Sequence, residues 1–207
     1  MVDLRKLRVI VVGIPGVGKT TVVERAAGVL GARVVTFGTV MFEEAQMLKW
    51  ASNRDEMRRM PLEKQKRLQK LAAIKISGAR DHLLFVDTHL FIRTAEGLWP
   101  GLPFEVVREM KPTHLVLVEA TPEEIRGRRA LDATRARDDI SIEALASELA
   151  LGRSFLAASS MVTGAPMLIF ANSAGKADET AGELAEALVG SRVPILTVQH
   201  KPRHPKR

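Results

Sequence analysis

The segment Gly13-Ile14-Pro15-Gly16-Val17-Gly18-Lys19-Thr20 constrains this chain more than any other. It fits G-x-x-x-x-G-K-[ST] at every required position, follows an apolar β-like run and opens a helical pattern, Thr20–Leu30. A strand, a glycine loop and a helix in that order form the first unit of an α/β sheet. Glycines let the backbone curl until successive N–H groups face inward, and the helix start adds partial positive charge. Such a loop cradles the phosphates of a nucleoside triphosphate. Gly13 to Gly18 and Thr21 supply the cradle, Lys19 a point charge for the β and γ phosphates, and Thr20 a hydroxyl for Mg²⁺. The acceptor of a transferred phosphoryl group stays open at this point: water, a protein or a small molecule.

Five short β-rich runs alternate with amphipathic stretches: Leu7–Val12, Arg33–Phe37, His82–Val86, Thr113–Val118 and Met167–Phe170. Alternation of this kind predicts an α/β fold, a three-layer sandwich around a five-stranded parallel sheet. A sixth run, Val193–Val198, contains Pro194 and suits only an edge strand. The first two runs are spaced for one crossover helix, but 44 residues separate Phe37 from His82. They read as a helical excursion comprising Thr39–Trp50, a charged joint at Ser52–Asp55, and Pro61–Ser77, where Pro61 suits a first helical turn. A polar, arginine-rich break at 128–141 separates two later helical patterns and is placed to act as a lid.

The third run ends Val86-Asp87-Thr88-His89, placing a carboxylate where the water shell of Mg²⁺ requires one. Asp87 also suits a turn or helix cap, and His89 either touches substrate or caps a turn. A GTPase would carry Asn-Lys-x-Asp after a later strand; Ala171-Asn172-Ser173-Ala174-Gly175-Lys176-Ala177-Asp178 lacks that spacing. That segment reads as a loop against the nucleotide base or as a plain connection.

Charge narrows the acceptor. The net charge of +7 favours an anionic partner, and four of the surplus charges lie in the last eight residues, HKPRHPKR. Arg126, Arg128, Arg129, Arg135, Arg137 and Arg153 fall within 28 residues. Transfer between two nucleotides gathers several negative charges at one point, and guanidinium groups brought in by a closing lid stabilise them. The competing reading is a solvated basic face or a nucleic-acid stripe, but residues 121–154 contain no aromatic residue on which bases could stack. No cysteine occurs, which removes disulfides, thiolate metal sites and cysteine nucleophiles. No apolar run approaches the ~18 residues of a membrane span, so a cytoplasmic protein without membrane contact is expected.

With these residues assembled, the chain resembles the archaeal adenylate kinases of the nucleoside monophosphate kinase superfamily. The matching blocks are VVGIPGVGKTTV, FGTVMFEEA, NRDEMRRM, LQKLAAIKI, VDTH, GLWPGLP, RRALDATRARD and MVTGAP, in that order over residues 7–172. The resemblance implies one kinase domain, 1–207, with an AMP-binding helical insertion at 38–80 and a short lid at 128–141; the basic tail at 199–207 lies beyond what it covers. It implies reversible transfer of the ATP γ-phosphoryl group to AMP, with Mg²⁺ as cofactor and a homotrimer as the expected assembly. Gly38, Thr39, Arg54, Arg58 and Asp87 fall on the substrate side, with Phe37 and Met41 packed nearby. Lys19, Arg129, Arg135, Arg137 and Arg153 carry the transfer, and Thr20 with Asp87 holds the metal, Asp87 through water. The superfamily's Asp-Gly-(aromatic)-Pro-Arg block is absent here. Asp87 is followed by Thr88-His89, so the arginine for the AMP phosphate is missing from that place, and Arg93 is a candidate replacement. A cytidylate- or shikimate-type kinase, or a nucleotide-dependent RNA-binding factor using the tail, are the alternatives.

Overall fold

In the computed structural model, residues 6–94, 97–131 and 140–190 are described, the side chains at 93 and 94 excepted. The elements in chain order are β1 (Leu7–Val12), α1 (Lys19–Leu30), β2 (Arg33–Thr36), α2 (Phe37–Met47), α3 (Arg54–Arg58) and α4 (Leu62–Ser77). Then come β3 (Leu83–Asp87), β4 (Phe91–Thr94), β5 (Gly97–Pro100), α5 (Phe104–Glu109) and β6 (His114–Glu119). The chain continues with α6 (Pro122–Leu131), α7 (Ile142–Thr163), β7 (Met167–Ala171) and α8 (Ala177–Leu188). The run Val193–Val198, the tail, Arg135 and Arg137 lie outside the described residues.

The main sheet has five parallel strands in the order β2-β3-β1-β6-β7. β1 is central, and Val9 through Val12 are fully buried, as expected of a strand covered on both faces. The chain leaves β1 toward β2 but leaves β3 toward β6, the opposite direction across the sheet. With right-handed crossovers, those two departures place their helices on opposite faces. The loops after the neighbouring strands β1 and β3 therefore diverge and open a crevice at the carboxyl ends, where α/β sheets bind ligands.

Three details differ from the sequence expectation. β2 ends at Thr36, and Phe37 opens α2 instead, because its ring is buried in the main core from the first helical turn. Pro61 precedes α4 as its N-cap; its carbonyl accepts from Lys64 and Gln65 N–H. The hairpin β4–β5 was not foreseen: it pairs antiparallel outside the main sheet. The excursion between β2 and β3 gathers Ala45, Ala51, Met57 and Leu68 into a small core of its own.

At the far end of the sheet, Arg8 is buried. It donates to Met110 O at 3.0 Å and to Ser77 O at 3.0 Å, tying together the carboxyl ends of α5 and α4. Burial lowers its pKa, partly offset by Asp81.

Candidate active site

The loop after β1 and the residues after β3 and β2 enclose a cleft of about 660 Å³. Ile14, Pro15, Gly16, Gly18, Lys19, Thr20 and Thr21 line one wall. Thr36, Thr39, Arg54 and Arg58 line another, with Asp87, His89 and Arg128 between them. Gly13 and Val17 are buried behind the loop. Gly16 and Gly18 hold φ values of +97° and +79°, where side-chain-bearing residues are strained. A Cβ on Gly18 would also lie 2.5 Å from Asn172 Nδ2, so only glycine fits both the turn and the neighbour.

The chemistry centres on Asp87. Its carboxylate is buried, forms an ion pair with Lys19 and accepts from Thr20 Oγ1 at 3.1 Å. The alternative role as a cap or turn former is thereby set aside: the side chain faces the loop and α1. Burial pushes the Lys19 ammonium down to about 8. Buried Asp87 and the adjacent Thr20 hydroxyl supply hard oxygen donors, which suit Mg²⁺. That ion keeps several waters and takes few protein ligands beside substrate phosphates.

On the opposite wall, Arg54 Nη2 donates to Thr39 Oγ1 at 2.8 Å, and its guanidinium lies 5.8 Å from the Phe42 ring centroid. Arg58 pairs with Asp55 at 2.9 Å. Gly38 lies in the first turn of α2, half-buried and away from the cleft lining. Met41 packs between the main and the small core. Arg93 lies in β4.

The arginine group divides. Arg128 and Arg129 belong to the last turn of α6, so the stretch read as a lid begins inside a helix. Arg129 donates to Pro15 O from Nε at 2.9 Å and from Nη2 at 2.6 Å. Arg153 lies on α7 and pairs with buried Glu119. Arg126 is exposed.

Sequence reasoning counted Arg128 only among the clustered arginines and Asn172 only within a connecting segment, and it passed over Glu119. Arg128 donates to Val17 O at 2.9 Å and to Asn172 O at 2.8 Å. Asn172, weighed as part of a base-contacting loop or a plain connection, is buried, and its Nδ2 donates to Val17 O at 2.8 Å. A signal for Arg128 was available: Ile125 is the buried residue of α6, and positions three and four later share its face. Nothing local marks Asn172 or Glu119, whose partners are brought by other strands and helices. His89 Nδ1 lies 3.3 Å from Gly13 O.

A family model described as an AAA domain matches residues 12–146. The adenylate kinase of Thermoplasma acidophilum is 39% identical over 182 residues, covering 88% of this chain and 98% of that one. The adenylate kinase of Pyrococcus furiosus is 42% identical over 184 residues, covering 87% and 94%. Among solved structures, shikimate kinase from Acinetobacter baumannii in complex with shikimate superposes with a TM-score of 0.62 at 14% identity, covering 91% and 96%. At that identity the likeness is one of fold.

Proposed function

This chain belongs to the family of archaeal adenylate kinases, and on that premise we propose that it catalyses ATP + AMP ⇌ 2 ADP. An oxygen of the AMP phosphate attacks the γ phosphorus, and the bond from that phosphorus to the β–γ bridging oxygen breaks. The attacking phosphate already carries charge, so no general base is needed, and catalysis is mainly positioning and electrostatics.

The observation that carries this reading is one cleft with two basic walls: the phosphate loop with Lys19 on one side, Arg54 and Arg58 on the other. ATP phosphates take the first wall. As they enter, Lys19 exchanges its ion pair with Asp87 for the β and γ oxygens. Thr20 and Asp87 would hold Mg²⁺, which when bound would neutralise charge on the phosphates. AMP takes the second wall, with Thr39 holding Arg54 in place. Arg129, Arg135, Arg137 and Arg153 neutralise the migrating phosphoryl group. With the superfamily arginine missing after β3, Arg54 and Arg58 are the AMP-phosphate ligands this reading favours.

The same reading includes a homotrimer and a cytoplasmic location. Among the described residues no helix is long and apolar enough to cross a membrane. RNA contact by the basic tail 199–207 is the lesser alternative. A coupled assay of ADP formation with AMP, CMP, UMP, GMP and shikimate as acceptors tests the assignment. Preference for AMP by at least tenfold in kcat/KM is expected; preference for another acceptor overturns it. Light scattering tests the trimer.

A further inference from the structure

The phosphate loop is held from behind through alternate carbonyls. Gly13 O faces His89 Nδ1, Pro15 O accepts both donors of Arg129, and Val17 O accepts from Arg128 Nη1 and Asn172 Nδ2. In a trans peptide the C=O and the following N–H point in opposite directions. A carbonyl fixed on the α6 side therefore turns the next N–H toward the cleft. Pro15 O and Val17 O are followed by Gly16 and Gly18, both of which line it.

The Val17–Gly18 peptide has the more elaborate support. Arg128 spans two carbonyls, Val17 O and Asn172 O, with its two terminal nitrogens. Asn172 completes the ring from the β7 side: its own Nδ2 reaches Val17 O, and its backbone N–H donates to Glu119 O at 2.7 Å. The Asn172 Oδ1 is buried without a hydrogen-bond partner, so the donor end of the amide is what the site uses. The ring closes α6, the phosphate loop and the β7 loop on one peptide.

We propose that Arg128 and Asn172 are positioning residues for ATP, orienting the Gly18 N–H through Val17 O, and that Arg128 acts through the loop rather than by touching phosphate. Arg128 lines the cleft, and each of its terminal nitrogens gives one N–H to a carbonyl of the loop or of the β7 connection. A loop whose amides already face inward has no reorganisation left when phosphate arrives, and preorganised donors are worth more than mobile ones. Arg129 and His89 support the neighbouring peptides in the same sense.

The proposal rests on the phosphate-loop reading and not on the identity of the acceptor. The test is a double-mutant cycle on the full chain: Arg128→Lys, Asn172→Ala and the double variant, titrated calorimetrically with ATP, tripolyphosphate and, separately, AMP. Lysine keeps the charge but cannot span two carbonyls. Each single change should weaken ATP and tripolyphosphate about tenfold, with the double variant no weaker than about twentyfold and AMP affinity within twofold. That coupling is expected only if both residues act through one peptide. An Asn172→Ala protein that binds tripolyphosphate like wild type, or losses that multiply to about a hundredfold, would overturn the proposal in favour of direct phosphate contact by Arg128. Asn172→Asp supplies a second probe if the alanine variant melts early: a carboxylate facing Val17 O should weaken tripolyphosphate at least as much, and wild-type affinity would again overturn it. Failure of the adenylate kinase reading would appear differently, as absent AMP affinity in the wild-type protein.

Discussion

Arg153 on α7 closes a bidentate pair with Glu119 at the end of β6, Nε donating to Oε1 at 2.8 Å and Nη2 to Oε2 at 2.6 Å. Glu119 is buried, while the arginine is more than half exposed. The carboxylate also holds Arg153 above its ordinary pKa. Such a pair aims a guanidinium as well as stabilising the helix that bears it. Glu119→Gln removes one of the two acceptors and the charge. A fall in kcat of about tenfold with both KM values within twofold is expected, read by steady-state kinetics. A cost of about 1–2 kcal/mol in urea unfolding should accompany it. An unchanged kcat would leave the pair a purely structural role.

Lys19→Ala should lower kcat/KM for ATP by about three orders of magnitude, since it removes the buried charge that meets the phosphates. The nucleotide-free protein should still fold, but ATP should no longer raise its Tm. Activity within a few-fold of wild type would refute the scheme.

The pH dependence follows from the same lysine. Its ammonium titrates near 8 in the nucleotide-free cleft, against an ordinary value of 10.5. Phosphates require the charged form, so ATP binding should be flat below about pH 7 and weaken as pH rises through 8. Between about pH 8 and 10 binding should take up close to one proton, measurable by calorimetry in buffers of different ionisation enthalpy. For folding, stability rises with pH through this window, because the lowered lysine disfavours the folded state while it is charged. The unfolded chain binds more protons between about 8 and 10.5, so Lys19 opposes folding below that window. The opposition fades as pH rises through it.

Arg135→Ala and Arg137→Ala test the stretch outside the described residues. Both should act mainly on kcat, by about 10² each, if those arginines meet charge only in the transition state. A raised KM with unchanged kcat would place them in ground-state binding instead.

Arg8→Met should separate stability from catalysis. It strips Met110 O and Ser77 O of their buried donor at the end of the sheet away from the cleft. A loss of about 2–3 kcal/mol in urea unfolding is expected. Kinetic constants well below the melting temperature should stay within twofold.

Strand positions, their parallel pairing and the phosphate loop were legible in the sequence because each is encoded locally. An apolar run covered on two faces, and glycines where the backbone turns left-handed, carry their own signature. So did the long excursion before β3, through its length alone. The hairpin β4–β5 escaped because its strands are four residues each and half apolar on the solvent side, with Ile92 and Leu98 exposed. The stretch read as a lid begins inside a helix because arginine is a good helix former, and α6 runs on through Arg128 and Arg129.

By itself, then, the sequence determined a phosphate loop at the end of β1 and a carboxylate at the end of β3. It did not determine what each arginine does. Arg128 and Val17 are 111 positions apart, Asn172 and Val17 are 155 apart, and Arg153 and Glu119 are 34 apart. Those pairs exist because β6 lies in register beside β1 and β7 beside β6, with Glu119 opposite Ala171, which brings three chain segments to one end of the sheet. Local backbone preference is written residue by residue, whereas the partner of a charged side chain is chosen only when the sheet closes.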